Sequence, residues 1–148
     1  MTCLLRVADC GLRLCNRDVT DTELKDRTKA FALRAVRLVE SLPRSQTGDV
    51  MGRQLLRAAT SVAANYRAAC RGKSRADFIA KMGIVEEEAD ECALWLELIA
   101  AAGLMADDKL AALRDEASAL TAIAVKSIRT ARARMSNPQP ATRNPQSR

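Results

Sequence analysis

The stretch Gln54–Phe78, QLLRAATSVAANYRAACRGKSRADF, decides the fold. Taking Arg53 as zero and advancing about 100° per residue puts Arg57 at about 40°, Arg67 at about 320° and Arg71 near 0°. Met51, Leu55, Ala58, Val62, Tyr66 and Ala69 fall on the opposite side, between about 140° and 220°. The segment is therefore an amphipathic helix that buries one face and offers guanidinium groups on the other. Gly72 stands where a C-terminal cap would end it. Ser74, followed three residues later by Asp77, has the form of an N-cap opening the next helix. A helix–turn–helix junction with an arginine stripe is thus written into 25 residues.

The same period extends in both directions. Leu24, Thr28, Phe31, Ala35, Leu38 and Leu42 form a seam over residues 22–42, which Pro43 stops. A loop is expected at 43–48 and the second helix over 49–71. Phe78, Met82, Val85, Ala89, Cys92, Leu96 and Ile99 form a third seam, closed by Gly103. Leu110, Leu113, Ala117, Leu120, Ala124, Ile128 and Ala131 form a fourth, opening at Asp107 or Asp108. Four helices joined by short loops predict an all-α, up-down-up-down antiparallel four-helix bundle over residues 21–135.

Composition agrees. The 148 residues are 48% hydrophobic but only 3% aromatic. Alanine and leucine carry the apolar mass, which suits close-packed helices. Residues 1–20 hold Cys3, Cys10 and Cys15 and show weak periodicity. They read as a poorly ordered appendage, with a translation start near Val19 as one reading. Residues 136–148, SNPQPATRNPQSR, hold three of the four prolines and read as a disordered basic tail.

Several kinds of chemistry are disfavoured. There is no histidine, so the usual general base and the commonest metal ligand are missing. The five cysteines include no CxxC pair, which fits free thiols in a reducing cytoplasm better than a disulfide framework. No apolar run approaches the ~20 residues that span a bilayer. Glu86, Glu87, Glu88, Asp90 and Glu91 point in different directions around one helix and do not converge on an ion. Cys92 lies on a core seam. Cys70 lies near Arg67 and Arg71, which would lower its pKa if it were exposed; packing is the simpler role. The expectation is a non-enzyme with no cofactor, no metal and no catalytic residue.

Binding surfaces remain. The formal charge of +6 and a pI of about 9.4 favour an anionic partner. Arg53, Arg57, Arg67 and Arg71, with Lys73 and Arg75 at the following turn, are the candidate phosphate contacts for RNA or DNA. Few aromatics interleave them, so base stacking is not indicated. The alternative is that the stripe pairs with acids of the third helix, in the same or a neighbouring subunit. That helix carries a second apolar strip, Ile84, Leu94, Trp95 and Leu98, which marks either a homo-oligomer interface or the rim of the chain's own bundle. Ser61 and Asn65, on the shoulder of the buried face, are expected to make a polar contact to a neighbouring helix, the alternative being an ordinary exposed pair.

The segment SVAANYRAACRGKSRADFIAKMGIVEEEADECALWLELI resembles the four-helix-bundle family linked to intervening sequences in bacterial 23S ribosomal RNA genes. Gln54, Leu55, Arg57, Ala58, Ala59, Ser61, Val62, Asn65, Arg71, Ser74, Asp77 and Phe78 stand at places matching the family pattern, some as conservative variants. Where that family commonly has Ala-Glu-Gly, this chain has Arg67, Ala68 and Ala69, losing an acid and a glycine and gaining a positive charge. The resemblance spans roughly residues 25–133. It implies a ring, commonly a homopentamer, without known catalysis. It also implies kinship with the accessory variability determinants of diversity-generating retroelements, basic rings that bind a reverse transcriptase and nucleic acid.

Overall fold

The computed structural model describes residues 21–136. The expectations for residues 1–20 and 137–148 lie outside them. Four helices make up the described chain: α1 Asp21–Glu40, α2 Gln46–Ala69, α3 Arg75–Ala101 and α4 Asp107–Ser136. α3 packs broadly on α2 and α4, α2 packs on α1, and α1 meets α4 along a narrow seam. This closes an up-down-up-down bundle.

Most of the buried residues are those of the four seams, with Ala59 added and Leu38 and Met51 only partly buried. Leu24, Phe31, Ala35, Leu55, Val62, Tyr66, Phe78, Met82, Ala89, Leu96, Ile99, Leu110, Leu120 and Ala124 lie in one continuous core. Thr28 and Ser127 are buried too, but their hydroxyls donate within their own helices, to the carbonyls of Lys25 and Ile123. Neither hydroxyl is therefore left without a partner in the apolar interior.

Helix ends show where sequence reading was short. α2 begins three residues earlier than expected, because Ser45 is its N-cap and its Oγ accepts from the Gly48 amide at 3.0 Å. Gly52 permits the close crossing of α1 and α2, since a Cβ there would lie 2.8 Å from Val39 Cγ1. Gly72 does not cap α2 in the left-handed conformation; Cys70 ends the helix in ordinary right-handed geometry. Gly103 does adopt it, with φ of 67°. There the Leu104 amide bonds the Ile99 carbonyl and the Gly103 amide bonds that of Ala100, which closes α3 in a Schellman arrangement.

Ser74 caps α3 as expected, its Oγ accepting from the Asp77 amide at 3.1 Å. The reciprocal bond differs: Asp77 Oδ2 accepts from the Lys73 amide, one residue before the cap. Asn65 also departs from expectation. Its Nδ2 donates to the Ser61 carbonyl and Oγ, both at 3.0 Å, so the pair is settled within α2 and does not reach a neighbouring helix.

Candidate nucleic-acid interface

The arginine stripe of α2 lies on the exposed side of the helix, as its period requires, but it is interrupted. Arg57 is already engaged. Its Nη2 donates to Glu91 Oε1 at 2.8 Å, and its Nη1 lies 3.9 Å from Glu88 Oε1. The acidic edge of α3 thus meets the basic edge of α2 inside one chain. Glu91 Oε1 also accepts from the Trp95 indole N–H at 2.9 Å. Glu88 keeps its second oxygen buried without a hydrogen-bond partner.

Arg53 sits near the opposite end of α2, beside a hollow of about 480 Å³ at the α1–α2 turn. Glu40 and Asp49 line that hollow with Arg44 and Arg53, so its charges are balanced. Arg67, Arg71 and Lys73 are exposed, and none forms an ion pair among the described residues. Arg75 Nη1 donates to the Arg134 carbonyl at 2.7 Å, holding the start of α3 against the last turn of α4.

That bond draws together one end of the bundle. α2 finishes there, α3 starts, and α4 ends with KSIRTARAR, residues 126–134. Arg129 and Arg132 are exposed and add two cations that the sequence reading passed over. Among the described residues the acids at this end include Asp21 and Glu23 in the first turn of α1, Asp26 one turn further, and Asp77 in the first turn of α3. Guanidinium and ammonium groups here have the planar fork and point charge that recognise phosphate oxygens.

Neither described thiol is activated. Burial pushes Cys70 upward, outweighing the lowering by Tyr66 and Lys25. Burial, with Glu88 and Glu91 nearby, pushes Cys92 up to about 12. Tyr66 is buried with its hydroxyl unpartnered, and burial raises its pKa beyond any working pH. Among the described residues no cluster of three or more His, Cys, Asp or Glu is arranged to hold a metal ion, and no helix is long and apolar enough to cross a membrane.

The apolar strip of α3 is divided as well. Ile84 is half-buried, and Trp95 is partly buried against the core. Leu94 and Leu98 face outward, 50% and 37% exposed. Trp95 thus packs on the rim of its own bundle, and within this strip Leu94 and Leu98 are the most exposed.

Comparison with known proteins bears on this geometry. The chain is similar to a protein of unknown function from the S23 ribosomal protein family of Bacteroides thetaiotaomicron, known from its crystal structure. Identity is 34%, the TM-score is 0.69, and the match covers 74% of this chain and 97% of the other. No curated protein matches the chain. A family model for the 23S rRNA-intervening sequence protein matches residues 20–126. With the bundle, its seams and its capped turns in agreement, the chain belongs to the 23S rRNA-intervening sequence protein family.

Proposed function

We infer that the protein is a non-catalytic, oligomeric accessory that binds structured nucleic acid by its phosphates. The observation that carries this reading is a set of exposed cations at one end of the bundle that form no ion pair among the described residues: Arg67, Arg71 and Lys73 with Arg129 and Arg132. Their distribution favours the sugar–phosphate backbone. Five positive charges at one end raise the local concentration of a polyanion and release its counterions on contact. Aromatic platforms for stacking are absent from the exposed surface of this end, and no helix here is set to read base edges, so sequence preference is weak. RNA is the first candidate, given the ribosomal RNA insertions for which the family is named. A retroelement setting with a reverse transcriptase as partner is the other family-level context, and neighbouring genes distinguish the two.

The competing reading is a protein-only scaffold whose basic groups serve assembly. Arg57 favours neither, because its carboxylate partners belong to its own chain. The deciding experiment is fluorescence anisotropy with a labelled structured RNA. Reversing Arg67, Arg71 and Lys73 to glutamate is expected to weaken binding at least tenfold, while reversing Arg53 at the far end leaves it within twofold. Equal loss from both variants, or a wild-type protein that binds no nucleic acid at low salt, would overturn the reading.

A further inference from the structure

α1 and α4 touch only along a narrow seam, and at the end of the bundle away from Arg67 and Arg71 they leave a cleft of about 430 Å³ between them. Arg34 and Arg37 stand on its α1 wall and Lys109 on its α4 wall. All three are exposed, and none forms an ion pair among the described residues. Leu38, Met105 and Leu113 make an apolar floor that packs on the core. No acid is among the residues that line the cleft. The nearby Asp107 does not neutralise it, since Asp107 accepts from Arg114 at 2.7 Å. Ser41 stands at the edge, its Oγ donating to the Leu38 carbonyl at 2.7 Å, which leaves the oxygen free to accept. Glu116, one helical turn beyond Leu113, is forked to Arg27 and ties the two walls together, so the cleft is already formed before anything enters it.

Positive charge converging from two walls over an apolar floor suits a compact anion that carries an apolar body. Arg34 and Arg37 are three residues apart on one helix face, which sets their Cβ atoms about 5–6 Å apart. Two guanidinium forks at that spacing can each take one of two linked phosphates, with the Lys109 point charge opposite them. The faces of a flat heterocycle are apolar enough to lie on Leu38, Met105 and Leu113, with a polar edge turned to Ser41 Oγ. The volume lies within the range of about 300–1,000 Å³ usual for small-ligand sites. An acidic peptide brings its carboxylates on separate residues, whereas forks one turn apart favour charges on adjacent groups of one small molecule. Residues 1–20 and 137–148 each carry more basic than acidic side chains, so neither end of the chain supplies the anion.

We propose that the α1–α4 cleft is a binding site for a nucleoside di- or triphosphate, its phosphates held by Arg34, Arg37 and Lys109 and its base laid on the apolar floor. The site is separate from the surface assigned to nucleic acid. At about 1.5 Å per residue, Arg34 and Arg37 lie roughly 20–24 Å along α1 from Asp21, which stands at the end that holds Arg67 and Arg71.

Isothermal titration calorimetry on the full chain at low salt, without added metal, tests this with ADP, inorganic pyrophosphate and adenosine as probes. ADP is expected to bind once per chain, pyrophosphate several-fold more weakly, and adenosine more weakly still. Replacing the three cations together, Arg34→Gln, Arg37→Gln and Lys109→Gln, should weaken ADP about tenfold or more. Met105→Gln should bring ADP down to the level of pyrophosphate and leave pyrophosphate unchanged, because only the base uses the floor. All three cations are exposed, and circular dichroism checks that each variant keeps the wild-type helix content. Affinity for a structured RNA should stay within about twofold in the cation variant, and saturating RNA should not displace ADP. No ADP binding by wild type, pyrophosphate binding as tightly as ADP, or a cation variant that binds ADP like wild type would each overturn the proposal. Displacement of ADP by the RNA would assign the cleft to the nucleic-acid surface instead, and displacement by poly-glutamate would assign it to an acidic protein segment; either result overturns the proposal. The RNA affinity of the cation variant is read independently, so a failure here leaves the nucleic-acid reading to its own test.

Discussion

Substituting Arg27 by methionine probes how the bundle closes. α1 rests broadly on α2 but only narrowly on α4. Across that seam Arg27 Nε donates to Glu116 Oε1 at 2.6 Å and Nη2 to Oε2 at 3.0 Å, a bidentate fork. The two side chains are 35% and 21% exposed. A fully exposed pair contributes about 0–1 kcal/mol. Breaking a fully buried one costs about 3–5 kcal/mol. A fork this far withdrawn from water falls between, at about 1.5 kcal/mol once solvent screening is allowed for. The Glu116 hydrogen bond, opposed by desolvation, raises the Arg27 pKa, so the guanidinium stays charged throughout and pH does not modulate its half of the pair. Methionine keeps much of the apolar stem, which confines the loss to the charge. For a bundle of this size each 1 kcal/mol is about 4 °C, so Tm should fall by about 6 °C. A thermal double-mutant cycle with Glu116→Gln, followed by circular dichroism, isolates the coupling, expected at about 1–1.5 kcal/mol. A coupling within about 0.3 kcal/mol of zero would refute the reasoning, and α1 would then be held by α2 alone.

Two other outcomes follow from single groups. In the native protein iodoacetamide at pH 7.5 should leave Cys92 unmodified and label Cys70 more slowly than a free thiol, since burial raises both pKa values. Peptide mass mapping reads each site, and rapid native labelling of Cys92 would contradict its burial. The Arg114 hydrogen bond lowers the Asp107 pKa, so its contribution is present above the ordinary carboxylate range and is lost as pH falls through the folded value. Asp107→Asn should lower Tm at pH 6, and the difference should shrink as pH falls below the ordinary carboxylate range; a gap that stays the same from pH 6 to pH 2.5 would assign the effect to something other than the charge.

The bundle was legible because each seam is a simple one-dimensional signal: a buried stripe repeats along its own helix, and Phe78 to Ile99 needs no knowledge of what it packs against. Helix ends were less so. Gly72 and Gly103 both follow an apolar seam, yet only Gly103 turns left-handed. Ser74 opens the next helix two residues after Gly72, and that short turn is made without a left-handed step. The start of α2 was hidden because Thr47 and Gly48 are weak helix formers, and the Ser45 cap that holds them reads as an ordinary loop serine.

Site residues were legible in kind but not in pairing. A helical projection shows that Arg57 faces outward, but its distance to Glu91 depends on how α2 and α3 are rotated about each other. The same rotation turns Trp95 toward its own rim and leaves Leu94 and Leu98 facing out. Arg129 and Arg132 were visible in the basic run of α4, and the antiparallel order already placed them at the end where α2 finishes. Their weight emerges only with Arg75 bonded to the Arg134 carbonyl, which fastens the two ends together.

The most direct test of the account is the salt dependence of affinity for a structured RNA, measured with the full chain. If Arg67, Arg71, Lys73, Arg129 and Arg132 each neutralise one phosphate, the logarithm of the association constant should fall against the logarithm of salt with a slope of about −4 per contacting subunit. Between 50 and 200 mM salt that is a loss of roughly 250-fold. The Arg67, Arg71 and Lys73 reversal should flatten the slope by about 3 or remove binding altogether. No binding at 50 mM salt, or a slope that the reversal leaves unchanged, would contradict the claim that this end of the bundle is the phosphate-binding surface.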